Sequence, residues 1–208
     1  MEVNTTRLES LNSLPFYIAD RINRLIPQGL TNKTFETFKS NAANKTAFDK
    51  SRDFMKSDRS LYLFGNVGCG KTHLLVSAFR ECILNNVSAT MINVAKMLHI
   101  QREEYETREE AELKFVETLT KGDSWKSPYK AIFFDDMSAE NTTGHTAEIL
   151  YLLLNEIIEI GTARVFITSN KSLKYISENI SDRVASRISG LCGKDNIIKI
   201  EGEDWRLK

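Results

Sequence analysis

Gly65-Asn66-Val67-Gly68-Cys69-Gly70-Lys71-Thr72 is the stretch on which the fold turns. The residues before it, Leu61 to Phe64, form a short apolar run. After it, Leu75, Phe79, Cys82 and Ile83 fall at i, i+4, i+7 and i+8, the spacing of one helix face. A strand, a glycine-rich turn reading GxxxxGKT and a helix, in that order, make a phosphate-binding loop. Successive backbone N–H groups wrap a phosphate only where Cβ atoms are absent from the sharp turns, and Gly65, Gly68 and Gly70 meet that need. The helix N-terminus adds its dipole and free N–H donors. Lys71 is placed to bridge the β- and γ-phosphates, and the Thr72 hydroxyl to ligate magnesium.

Working outward, short apolar runs alternate with helical ones: Ala89 to Val94, Ala131 to Phe134, Ala163 to Thr168 and Ile197 to Ile200 read as further strands. An apolar face from Ile149 through Leu153 to Ile157 and Ile160 reads as a helix packed on them. The alternation predicts a parallel α/β sheet built from crossover units. Two of these strands end in polar groups at the edge that faces the loop. Ala131-Ile132-Phe133-Phe134-Asp135-Asp136 presents two carboxylates, with Asp135 expected to hold magnesium and Asp136 to polarise an attacking water. Val165-Phe166-Ile167-Thr168-Ser169-Asn170 ends in small polar groups, of which Asn170 can bond both the water and the γ-phosphate. Further on, Ser181-Asp182-Arg183-Val184-Ala185-Ser186-Arg187-Ile188 puts Arg183 and Arg187 on one helix face. Such a pair is either solvated surface or the source of an arginine that reaches a neighbouring subunit's γ-phosphate.

The remaining segments are less specific. Pro15 and Pro27 bracket a short amphipathic helix with Ile18, Ile22, Leu25 and Ile26 on its apolar side, which either packs on its own domain or docks in a partner's groove. A second helix is expected over about 42–56, with Ala47, Phe48, Ser51, Phe54 and Met55 on its less polar face. Phe35 and Phe38 read as core residues, the alternative being that their segment borders a bound base. Glutamates 103, 104, 106, 109, 110 and 112 crowd an expected helical hairpin over about 101–128, a solvated surface insertion.

Composition narrows the setting. At 208 residues and 23.7 kDa the chain holds one ordinary domain with some residues to spare. Its three cysteines, Cys69, Cys82 and Cys192, are odd in number and widely spaced, which speaks against a disulfide framework or a zinc module. The longest apolar run is the six residues Ile149 to Leu154, too short to cross a bilayer, and the first residues, MEVNTTRLES, do not read as a secretory signal. A cytoplasmic protein is expected. With Lys plus Arg equal to Asp plus Glu at 28 each, no global field draws in nucleic acid, so any such binding rests on a local patch.

The succession GNVGCGKTHL, FFDD, ITSN and SDRVASRI, with GEDWR after it, resembles the DnaC/DnaI/IstB group of AAA+ ATPases, and most of all the bacterial or phage helicase loaders. The resemblance spans about residues 30 to 208. It implies a P-loop NTPase core, a five-stranded parallel sheet in order 5-1-4-3-2, over 31–208, after an N-terminal extension of residues 1–30 that meets a partner. It implies ATP and Mg2+ as ligands. Gly65, Asn66, Val67, Gly68, Cys69, Gly70, Lys71, Thr72 and His73 would surround the nucleotide, Thr72 and Asp135 the metal, with Asp136, Asn170 and Arg187 catalytic. Arg183 would be an auxiliary interface or DNA contact. The implied activity is slow, partner-stimulated ATP hydrolysis that switches delivery of a hexameric replicative helicase onto single-stranded DNA, with self-association through Arg187. DNA would be met by a helical insertion within about 95–118, using Lys96 or Arg102, since the glutamates there repel phosphate. The sequence departs from larger relatives in lacking metal-binding cysteines in the extension and room for a helical lid after the last strand. An IstB-like transposition helper, a slowly hydrolysing helicase adaptor or antagonist, and a small-molecule kinase are the competing readings.

Overall fold

The computed structural model describes residues 14–97, 129–137, 144–161, 163–202 and 204–205. The expected hairpin over 101–128, Arg102 within it, and most of the 95–118 insertion lie outside the described residues.

Five parallel strands form one sheet: β1 (Leu61–Phe64), β2 (Ala89–Asn93), β3 (Ala131–Asp135), β4 (Arg164–Ser169) and β5 (Ile197–Lys199). Their spatial order is β2-β3-β4-β1-β5, the expected 5-1-4-3-2. In register, Leu61 lies beside Phe166 and Phe133 beside Phe166 on its other flank, so β1, β4 and β3 advance in step to one edge. The inner strands are apolar along almost their whole length because helices cover both faces.

Alternate strand residues point to opposite faces and so build two cores. On one face Leu61, Leu63, Phe133 and Phe166 pack with Leu75 and Phe79 of α3 (Lys71–Leu84). Phe54 completes that layer, its ring centroid 5.4 Å from Phe133 and 5.3 Å from Phe166. Tyr62, Ile132, Phe134, Val165 and Ile167 fill the other face. They meet Leu150, Leu153 and Ile157 of α4 (Gly144–Ile160), Ile176 of α5 (Leu173–Asn179), and Val184 and Ile188 of α6 (Asp182–Cys192).

Two N-terminal helices join the first core. Helix α1 (Phe16–Leu25) sits between Pro15 and Pro27 as its spacing predicts, and buries Ile22 beside α3, with Ile26 just beyond its end. Phe16 and Tyr17 remain exposed on its outer side. Helix α2 (Lys45–Arg52) is shorter than the expected 42–56. Asn41 Oδ1 accepts the N–H groups of Ala43 and Asn44, which makes a turn of the residues before it. At the other end Phe54 N–H bonds back only three residues, to Ser51, in a tighter closing turn. Among the described residues no helix is long and apolar enough to cross a membrane.

Candidate nucleotide site

The loop between β1 and α3 starts from a strand that ends at Phe64 and closes on Gly70, which caps α3 at φ 101°, a left-handed conformation that costs glycine little. Gly68 is likewise at φ 78°. Both are also crowded from outside. A Cβ on Gly70 would stand 2.7 Å from the Phe38 ring, and one on Gly68 would strike the Asp204 carboxylate. The loop is therefore clasped between the 30–39 segment and the chain that follows β5.

Lys71 is largely buried at the start of α3, with its ammonium turned back to the carbonyl oxygens of Gly65 (2.9 Å) and Asn66 (2.7 Å). Burial lowers its pKa, the loss of water disfavouring the charged form. Neutral carbonyls offset that loss only in part, so an anion entering the loop offers the ammonium a stronger partner. His73, about half a turn further on, faces the other way. Its Nε2 lies 2.9 Å from the Thr34 carbonyl oxygen and 3.2 Å from Thr37 Oγ1, and the Phe38 ring meets it edge-on at 5.2 Å. Burial lowers its pKa as well, which favours the neutral ring.

Across the cleft the strand ends converge. Thr72 Oγ1 donates to Asp135 Oδ1 at 2.9 Å, and Thr168 Oγ1 donates to the same oxygen at 2.7 Å. Burial raises the pKa of Asp135, and these two hydroxyl bonds work against the rise. Asp136 turns off the strand at φ 57°, a strained value for a residue with a side chain. Its N–H is held by Thr168 Oγ1 at 3.0 Å, and its Oδ1 accepts from Asn170 Nδ2 at 3.2 Å. Gly68, Gly70, Lys71, Thr72, His73, Asp135, Asp136 and Asn170 thus border a single cleft of about 800 Å³.

The donor set fits magnesium. A hydroxyl and a half-buried carboxylate are hard oxygen ligands, and magnesium keeps several waters and takes the rest of its shell from phosphates.

Residues 30–193 match the bacterial DnaA ATPase domain. The chain belongs to that family. Its fold is that of the AAA+ ATPase core, and solved structures agree. A replication initiator DnaA bound to AMPPCP and single-stranded DNA superposes with a TM-score of 0.68 at 18% identity, over 86% of this chain and 51% of that one. A DnaI structure gives 0.67 at 19% identity, over 88% and 98%. A DnaC helicase loader gives 0.61 at 16%, over 84% and 100%. This chain spans about half the length of the DnaA structure. The DnaC/DnaI-type AAA+ resemblance is therefore met at the level of fold.

Of the candidates, Gly65, Asn66 and Cys69 of the loop do not line this cleft, and one more lies on a different element. Arg187, on α6, is not in the lining of the phosphate cleft. Its guanidinium donates to the Tyr151 hydroxyl of α4 at 3.2 Å and stacks 5.4 Å from that ring. Arg183 lies over the same ring at 3.8 Å. These two cations lower the pKa of Tyr151, chiefly through the Arg187 hydrogen bond. Arg187 Nε is buried without a hydrogen-bond partner among the described residues. The groove beside it is lined by Arg59, Ile157, Ile158 and Arg164.

Three residues that border these sites carry no role in the sequence reading. Thr168 ties Asp135 to Asp136, and its place in Ile167-Thr168-Ser169-Asn170 is the signal that was available. Tyr151 depends on how α4 meets α6, which no local pattern encodes. Trp205 lines the phosphate cleft from the segment after β5.

Proposed function

We propose that this chain is an ATP-dependent helicase loader, an ATPase whose hydrolytic site is finished by a neighbouring molecule. The observation that carries the reading is the separation between a cleft holding loop, carboxylates and Asn170, and an Arg187 fixed on another face. In this reading the loop N–H groups and Lys71 take the triphosphate of ATP. Thr72 and Asp135 hold magnesium, which supplies positive charge to the phosphates. Asp136 and Asn170, already bonded to each other, orient the attacking water towards the γ-phosphate. Arg187 of one molecule then meets the charge that develops in the cleft of the next, so turnover is slow until molecules assemble.

The loader role is supported by the extent of the likeness, which covers nearly the whole of the DnaI and DnaC chains. A hexameric replicative helicase and single-stranded DNA are the proposed partners. Residues 1–30 are the proposed helicase-facing extension ahead of the 31–208 core. Because α1 gives its inner stripe to α3, contact there would use the side that carries Phe16 and Tyr17. Lys96, exposed at the start of the proposed DNA-contacting insertion, is the one described cation there.

ATP hydrolysis by the wild type and by Arg187→Ala, over a range of protein concentrations and with or without single-stranded DNA and a helicase hexamer, tests this reading. Turnover that rises with concentration or with the helicase, and is lost in Arg187→Ala while ATP still binds, supports it. Turnover independent of both concentration and Arg187 would overturn it and lead to a kinase substrate screen. Stimulation by a transposase in place of the helicase would move the role to the transposition-helper branch.

A further inference from the structure

The polypeptide after β5 does not leave the molecule at the sheet edge. Ile200 N–H bonds to the Phe64 carbonyl at 2.8 Å, at the root of the phosphate loop. Gly202 then passes Cys69 in ordinary contact, a Cβ on it standing 3.6 Å from the cysteine Cβ. Asp204 fills the space over Gly68, and Trp205 N–H reaches the Gly68 carbonyl at 3.4 Å. Residues 200–202 and 204–205 therefore lie along the loop as a strap, and they deliver an indole to its rim.

That indole is 38% exposed and borders the cleft together with Leu30 and Phe38. The Lys39 ammonium lies 5.4 Å from its ring centroid, a cation–π contact that fixes the ring and ties the strap to the 30–39 segment. The cleft thus has two chemistries. One part holds an ammonium, hydroxyls and carboxylates; the other holds a flat aromatic surface and apolar side chains. A nucleotide has the same two halves.

We propose that Trp205 is the base-stacking residue of the nucleotide site, so that the strap after β5 forms the wall against which the purine ring of ATP or ADP lies. This rests on the nucleotide-binding reading of the loop and adds to it the residue that recognises the base. The phosphates anchor at Lys71 and Thr72, and the indole supplies contact that a bare polyphosphate does not make. The Trp205 backbone bond to Gly68 links the two halves, so filling the phosphate loop also fixes the stacking surface.

The test uses the full chain with Trp125→Phe, which leaves Trp205 as the single indole of the two in the sequence. ADP should quench the Trp205 fluorescence on binding, and inorganic tripolyphosphate should bind without comparable quenching. Trp205→Ala should weaken ADP about tenfold, as loss of one stacked base does, while tripolyphosphate affinity stays within a factor of about two of the wild type, less than the factor of ten that 1.4 kcal/mol represents. Trp205→Phe, which keeps an aromatic face, should retain most of the ADP affinity and guards against a folding defect in the alanine variant. Equal ADP affinity in wild type and Trp205→Ala, or equal quenching by tripolyphosphate and ADP, overturns the stacking role while leaving the phosphate loop intact. A wild type that binds neither ligand overturns the nucleotide reading itself, and this inference with it.

Discussion

The strand-end cleft and the seam where α6 meets α4 are both built around charged side chains, yet they differ in what those charges meet. In the cleft each group has a partner chosen for it: Thr72 and Thr168 share one oxygen of Asp135, and Asn170 holds Asp136. On α6, Arg183 and Arg187 crowd one tyrosine, and the Arg187 Nε is buried with no partner among the described residues. Like charges brought together on a ring that offers one hydroxyl are held less well than carboxylates that each accept from a hydroxyl or amide donor. The first region pairs its polar groups within the chain; in the proposed reading the second exchanges the Tyr151 hydroxyl for an anion supplied by a neighbour's cleft.

The largest effects should separate the two regions by mechanism. Arg187→Ala is expected to lower kcat about 10³-fold, the scale of a lost arginine finger, with ADP affinity nearly unchanged. Asp136→Asn should lower kcat by roughly 10²-fold, in the range for one removed transition-state group, and at every protein concentration alike. Steady-state kinetics across a concentration series reads both. A concentration-dependent defect in Asp136→Asn, or none in Arg187→Ala, would erase the distinction between the regions.

Thr168→Val removes the hydroxyl that serves Asp135 and Asp136 together while keeping the side-chain shape. The expected loss is about tenfold in kcat, along with about 1–3 kcal/mol of stability from the groups left without a partner. Urea unfolding and ATPase assays on the same preparation measure the two parts. Tyr151→Phe is gentler, since it deletes the hydroxyl that Arg187 donates to and keeps the ring. Freed from that bond, Arg187 should reach a neighbour with a change in the concentration for half-maximal activity of about two- to fivefold, as a surface hydrogen bond of up to about 1 kcal/mol would give. An unchanged concentration profile would show that the tyrosine hydroxyl does not restrain the arginine.

Asp135→Asn probes the cleft through stability. Burial raises the folded-state pKa of Asp135, so its ionised form weighs against folding at neutral pH. Both hydroxyls donate to Oδ1, which asparagine retains. The variant should therefore melt higher than the wild type at pH 7, by roughly 2–4 °C per kcal/mol relieved. The difference should shrink as pH falls towards the ordinary carboxylate value near about 4, where Asp135 in the unfolded chain also takes up its proton. Thermal melts without nucleotide from pH 4 to 8 give the comparison. A variant less stable than wild type at pH 7 would contradict it.

Legibility in the sequence followed how local the encoding is. The phosphate loop and strand ends were readable because residue type, spacing and strand polarity act over a few neighbours: the same Gly68 and Gly70 that read as a loop take left-handed φ values. Sheet order came from the resemblance, and it matches the pairing of β1 with β4 and β5. Helix α2 ends before its apolar spacing does, because Phe54 and Met55 continue that spacing although the backbone has already turned. Tyr151 and Trp205 were beyond reach for a different reason. Their partners, Arg187 and Gly68, lie 36 and 137 positions away along the chain, and only the folded packing brings them together.

Mixing two inactive variants tests the central claim most directly. Arg187→Ala keeps an intact cleft and lacks the finger; Lys71→Ala keeps the finger and lacks the cleft's ammonium. If the site is shared between molecules, each variant alone is nearly silent, and an equal mixture regains roughly a quarter of wild-type activity through head-to-tail pairs. A mixture no more active than its two components would contradict a site completed by a neighbour.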